Sequence, residues 1–105
     1  MSDYKIEKEY EYVSAVDKDV VFTITPLTSS QRDECIGMQF SGGEALQIIN
    51  RSKLCSYGIK KIENLSMEGE AVTTAKEFLK YNWGALYEDV CMEILTACAK
   101  KDPKN

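Results

Sequence analysis

The chain has 105 residues, 44% of them apolar and 29% charged, with 13 lysines and arginines against 17 aspartates and glutamates, a net charge of −4. That length suits one domain, 1–105, with a core of its own. No run of about 18 apolar residues could span a bilayer, and scattered lysines on an acidic chain disfavour nucleic acid as a partner.

The chain begins MSDYKIEKEY, which mixes acids with lysines and has no apolar stretch of signal-peptide type, so the expected compartment is the cytoplasm. From Tyr4 to Val16 the apolar residues Tyr4, Ile6, Tyr10, Tyr12 and Val16 fall on even positions. Lys5, Glu7, Glu9 and Glu11 fall between them, which is the period of a strand. Asp17-Lys18-Asp19 supplies a turn, and Val20, Phe22 and Ile24 resume the alternation, so a β-hairpin is expected over 4–25. Pro26 has no amide hydrogen to give a ladder and ends the second strand.

A helical part is expected over 29–100, with 101–105 as a frayed tail. Thr28 and Gln31 form a capping box for a helix from about Ser29 to Phe40 that buries Cys35, Ile36, Met38 and Phe40. Ser41-Gly42-Gly43-Glu44 ends it and caps a second helix whose apolar positions are Ala45, Ile48, Ile49, Cys55 and Ile59. Gly58 stops a helix, Ile59, Ile62 and Leu65 place an apolar residue at every third position of a linker, and Met67 to Glu70 form a turn. Thr74 with Glu77 caps a short helix over Ala75 to Tyr81, and Asn82-Trp83-Gly84 marks a bend. The last helix runs from about Ala85 to Lys100, with Tyr87, Val90, Cys91, Ile94 and Cys98 on one stripe. Lys100 and Lys101 near its end favour the helix dipole. The predicted fold class is α+β: an N-terminal β-hairpin followed by three to four helices in a small, mostly helical domain.

Little in this sequence suggests catalysis. There is no histidine to titrate near neutral pH, and the four cysteines, Cys35, Cys55, Cys91 and Cys98, lack both a Cys-x-x-Cys spacing and a neighbouring base motif. They read as small buried thiols in a reducing compartment. Cys91 and Cys98 are separated by about 10 Å of helical rise, too far for a disulfide. Asp33-Glu34 and Glu88-Asp89 are sequence neighbours that diverge around a helix, so they read as solvated faces. Ser41-Gly42-Gly43-Glu44 lacks the Gly-Lys-Ser/Thr ending of a phosphate loop. No catalytic residue, metal or cofactor is expected. Phe78, Tyr81, Trp83, Leu86 and Tyr87 are concentrated in one short region, and such aromatics either fill a core or anchor a partner.

Three segments together, VVFTITPLTSSQ, YGIKKIENLSMEGEAVTTAKEFL and GALYEDVCMEIL, resemble the tail assembly chaperones of long-tailed bacteriophages and prophages. Ile62-Glu63-Asn64 departs from many members, which carry a tryptophan near this linker. The resemblance implies a non-enzymatic protein that binds the tape measure protein during tail morphogenesis and hands it to the major tail protein. The partner surface would be built from Phe78, Tyr81, Trp83, Leu86 and Tyr87, in a helix-in-groove mode. Family members are often made in two lengths by a ribosomal frameshift, and Lys100-Lys101 suits an A-rich slippery codon run. Two alternatives stay open: a minor structural tail or connector protein of the particle, and a small cytoplasmic enzyme or regulator. Oligomeric state also stays open, because an apolar stripe looks the same whether it packs within a subunit or between homo-oligomer subunits.

Overall fold

Val20, Phe22 and Ile24 are buried while Val21 and Thr23 between them are half-buried, and this period of two makes the middle strand of the principal sheet. The computed structural model describes residues 1–6 and 8–101. Its elements in chain order are β1 (Tyr4–Lys5), β2 (Tyr10–Val13), β3 (Val21–Ile24), α1 (Ser29–Cys35), β4 (Ile36–Ser41), β5 (Glu44–Ile49), α2 (Arg51–Gly58), β6 (Ile59–Glu63), β7 (Ser66–Met67), β8 (Glu70–Ala71), α3 (Ala75–Phe78), α4 (Ala85–Thr96) and β9 (Lys100–Lys101). The principal sheet is antiparallel with order β2-β3-β6, and three two-stranded ribbons, β1-β9, β4-β5 and β7-β8, complete the strands described.

The expected hairpin forms between β2 and β3, with Tyr10 opposite Ile24 and Val13 opposite Val21. Its turn is held locally: Asp17 Oδ1 accepts from the Asp19 amide at 3.1 Å, and the buried Ser14 hydroxyl accepts from the amides of Val16 and Asp17 at 3.0 and 3.2 Å. The hairpin begins later than expected. Tyr4 and Lys5 pair instead with Lys101 and Lys100, tying the two ends of the described chain together. Glu7 and residues 102–105, to which parts of the strand pattern and of the frayed tail were assigned, lie outside the described residues.

The domain is a mixed α/β structure with four short helices among the described residues, and it is richer in sheet than the mostly helical arrangement expected. Three segments account for the difference. The capping box at Thr28 and Gln31 forms, with the two reciprocal bonds at 3.0 and 3.1 Å, but α1 stops at Cys35. The chain then turns into a β-hairpin, β4-β5, with Ser41-Gly42-Gly43-Glu44 as its turn. Gly42 and Gly43 have φ of 59° and 83°, the left-handed pair that a two-residue hairpin turn requires. Met38 and Phe40 are therefore exposed, and the second helix begins only at Arg51.

The linker after Gly58 is the third strand of the principal sheet. Ile59 and Ile62 both face the core although they are three residues apart, because the register against β3 slips by one. Ile24 pairs with Ile59 and Thr23 with Lys61, leaving Lys60 as the extra residue. The turn at Met67 to Glu70 is present as the β7-β8 ribbon. Helix α4 ends at Thr96, so Lys100 and Lys101 belong to a strand and do not cap a helix, and Cys98 lies beyond the helix and is exposed.

Helices α2 and α4 cross the inner face of the sheet. Leu54 and Cys55 meet Val90, Cys91 and Ile94 in one core with Phe22 and Ile62. Gly58 sits where these layers come closest, and a Cβ added there would lie 2.5 Å from Ile94 Cγ2. Asp89 and Glu93, one turn apart on α4, fasten the helix to β2. Asp89 accepts hydrogen bonds from the Tyr12 hydroxyl at 2.8 Å, the Ser14 hydroxyl at 2.8 Å and the Ala15 amide at 3.1 Å. Glu93 accepts from the Tyr10 hydroxyl at 2.6 Å. Asp89 is thus half-buried and fully engaged, and does not lie on a solvated face as expected. Burial first, and then the Asp89 carboxylate, push the Tyr12 phenol up to about 12.

Two outcomes are expected from this packing. Gly58→Ala should destabilise by about 1–3 kcal/mol through overpacking, more than the helix propensity of alanine returns, and with Ile94→Ala, which removes the contacting γ carbons, the loss in the double variant should be smaller than the sum of the two single losses. Urea denaturation of the two single variants and the double variant measures it; an unchanged or raised midpoint for Gly58→Ala contradicts the close approach. Asp89→Ala should cost about 2–4 kcal/mol, against less than about 1 kcal/mol for its neighbour Glu88→Ala, which loses only an exposed ion pair. Because the folded Tyr12 pKa is raised, its contribution is complete below the ordinary phenol value and declines as pH rises from about 10 to about 12. The stability advantage of wild type over Tyr12→Phe should therefore shrink across that window and hold steady below it.

Candidate functional site

The five aromatic and aliphatic residues singled out from the sequence are brought together, but at different depths. Thr74 caps α3 by accepting from the Glu77 amide at 3.2 Å, and this sets Phe78 pointing inward, where it is buried edge-on against Phe22 with ring centroids 5.6 Å apart. Leu86 is buried as well. Trp83 stacks on Phe78 at 5.3 Å with planes 7° apart, and its indole N–H donates to the Phe78 carbonyl at 2.6 Å. Tyr81 stands edge-on to Trp83 at 5.9 Å and is 45% exposed. Tyr87 lies at the border of the group, its ring 6.2 Å from Phe78.

Phe78 therefore forms the floor, Leu86 belongs to the core, and Tyr81, Trp83 and Tyr87 are the side chains that solvent can reach. With Ser52, Leu79 and Asn82 the last three line a shallow pocket of about 200 Å³. Arg51 borders it. Its guanidinium lies 5.3 Å from the centre of the Tyr87 ring and 3.6 Å from the Glu88 carboxylate. Burial pushes the Tyr87 phenol above its ordinary value, so it stays protonated at neutral pH. Rigid stacking beneath and a partly exposed rim above are what a protein-binding anchor site requires, because little side-chain entropy remains to be lost on contact.

A second hollow, of about 320 Å³, lies between the chain ends. Lys5, Tyr10, Pro26, Glu93, Cys98 and Lys100 are among its walls. Among the described residues its one carboxylate, Glu93, accepts from the Tyr10 hydroxyl, and Lys5 and Lys100 are its two cations.

The cysteines fall into two environments. Cys35, Cys55 and Cys91 are buried, with the Cys55 and Cys91 sulfurs 3.5 Å apart in the seam between α2 and α4. The hydrogen bond to Cys91 and then burial push the Cys55 thiol up, away from the thiolate form. Among the described residues no group of three or more cysteine and carboxylate side chains is placed to hold a metal ion. No described helix is long and apolar enough to cross a membrane.

The most exposed apolar surface was not anticipated from the sequence. On the β4-β5 hairpin Phe40 is 76% exposed, Met38 59%, Leu46 51% and Ile48 46%. The alternation of apolar residues on either side of Gly42-Gly43 was the signal for it, and a helical reading of the same residues hid it.

Known protein families, curated proteins and solved structures were compared with the chain, and none matches.

Native protein treated with an aromatic disulfide reagent should release one equivalent of thiol rapidly, from the exposed Cys98, and the rest only on unfolding. Rapid release of two or more equivalents, or loss of the fast phase in a variant other than Cys98→Ser, would show that one of the buried thiols is reachable in the native protein.

Proposed function

We propose that this protein is a non-enzymatic tail assembly chaperone that binds the tape measure protein of a phage or prophage during tail morphogenesis. The observation that carries the reading is the aromatic pocket of Tyr81, Trp83 and Tyr87, stacked on the buried Phe78 and open to solvent. Its size suits one large apolar side chain. A long amphipathic helix presents such a side chain every three or four residues, so one pocket can anchor one turn of the partner. The family resemblance of the segments around Thr28, Gly58 to Leu79 and α4 supplies the identity of that partner and the cytoplasmic setting. Phe78 acts in this reading as the support beneath the contact, Leu86 as part of the core, and Tyr81, Trp83 and Tyr87 as the contact itself.

A second reading, a minor structural component of the particle, is favoured by the projecting β4-β5 hairpin, whose apolar side chains suit contacts between repeated subunits. Its presence in purified particles would separate that reading from a chaperone that leaves before completion.

Coexpression with a tape measure protein is the test. The long protein should stay soluble and copurify, and a Tyr81→Ala, Tyr87→Ala double variant that keeps the native melting transition should recover at least about tenfold less of it. If the two proteins do not associate, and the solubility of the long partner is the same with and without this chain, the chaperone reading fails.

A further inference from the structure

We propose that the β4-β5 hairpin is a self-association arm, and that its partner is the same hairpin of a second copy of this chain. The inference stands apart from the chaperone reading. The run from Gly37 to Ile48 is exposed throughout, and Ile36 and Ile49 at the base are only half-buried. Cross-strand pairing puts Met38 beside Gln47 and Phe40 beside Ala45 on one face, and Gln39 beside Leu46 and Gly37 beside Ile48 on the other, so each face carries large apolar side chains. A lone two-stranded ribbon in water is marginal at best, because it has no core to bury those side chains against.

Charge points to a second copy as the occupant. The chain carries a net charge of −4, so two copies repel each other on average, yet from Ile36 to Ile49 only Glu44 is charged. The arm is where two like molecules can approach without electrostatic cost. Its edges agree with this. In the principal sheet β2 carries Glu11, with Glu9 just before it, and β6 carries Lys60 and Lys61 and gives its Ile62 amide to the Thr73 carbonyl, so neither outer strand invites edge pairing. Neither β4 nor β5 has a lysine, a proline or a bulge, and among the described residues neither outer edge pairs with a further strand. A two-fold arrangement that packs the Met38–Phe40 face of one arm on that of the other is self-complementary.

Area sets the strength. The arm offers about half of the roughly 20–30 residues a side of a standard interface, which places the contact at the small end. A reversible dimer with a dissociation constant on the order of micromolar is therefore expected, not an obligate one.

Sedimentation velocity of the full chain from about 1 to 300 μM tests it. Wild type should shift from monomer to dimer across that range. Phe40→Glu and Met38→Glu should each weaken association by about thirtyfold or more, as loss of a central anchor does, with circular dichroism spectra and melting transitions unchanged because both side chains lie outside the core. Val13→Glu adds the same charge at another exposed apolar side chain, on β2, and should associate as wild type does. A wild type that stays monomeric at 300 μM overturns the proposal, and so does association that persists in Phe40→Glu and Met38→Glu or is lost equally in Val13→Glu.

Discussion

Strand β3 has to hide one whole face, and the rest of the domain is arranged to let it. Val20, Phe22 and Ile24 are buried while lying in the middle of a sheet only three strands wide, so cover must come from outside the sheet. Helices α2 and α4 supply it, with Phe78 closing the far side edge-on to Phe22. Burial at about 25 cal/mol per Å² favours this assembly but does not orient it. Orientation comes from polar contacts at the border, where Asp89 and Glu93 of α4 hold the hydroxyls of Tyr12 and Tyr10 across more than seventy residues of sequence. At the near side Gly58 lets the end of α2 approach Ile94 without a side chain between them. These contacts give one α4 position in place of the several that a greasy helix on a greasy sheet could adopt.

Among the apolar surfaces that the described residues leave exposed once β3 is covered, two differ in kind. The Tyr81–Trp83–Tyr87 rim is built on the core: its floor is Phe78, which is itself packed edge-on against Phe22 of β3. The β4-β5 hairpin stands on α1 and α2 through its base alone, where the Asn50 amide donates to the Cys35 carbonyl at 2.6 Å and Lys53 and Tyr57 of α2 engage Glu34 of α1. The Tyr57 hydroxyl is the first cause of the lowered Glu34 pKa, so the carboxylate stays ionised where the two helices meet. A pocket seated on the core suits a partner of different shape, and a marginal two-faced ribbon suits a copy of itself.

Much of this was readable from residue order. The β2-β3 hairpin, the caps at Thr28 and Thr74, the stop at Gly58, the turn at Met67 to Glu70 and the inward stripe of Val90, Cys91 and Ile94 are all set by neighbours within a few positions. The misreadings have specific causes. Ile59 and Ile62 look helical or irregular because one bulged residue, Lys60, converts a strand's period of two into three. Gly42-Gly43 reads equally as a helix end or as a hairpin turn, and the apolar residues around it fit both periods, so only pairing across the turn decides. The role of Asp89 was hidden because its partners lie at the other end of the chain, and local charge patterns carry no trace of a contact that distant. The rings of Phe78, Tyr81, Trp83 and Tyr87 come together in the fold, but sequence spacing could not tell that Phe78 and Leu86 are buried while Tyr81 is exposed.

Hydrogen exchange on the intact protein, read by mass spectrometry at low micromolar concentration, tests most directly whether the domain is a β3-centred body with an appended arm. Amides of β3, β6 and α4 should exchange slowest and together, as one cooperative unit, while those from Gly37 to Ile48 should exchange within seconds. Hairpin amides protected as strongly as those of β3 in dilute solution would contradict the account, since the arm would then be part of the core.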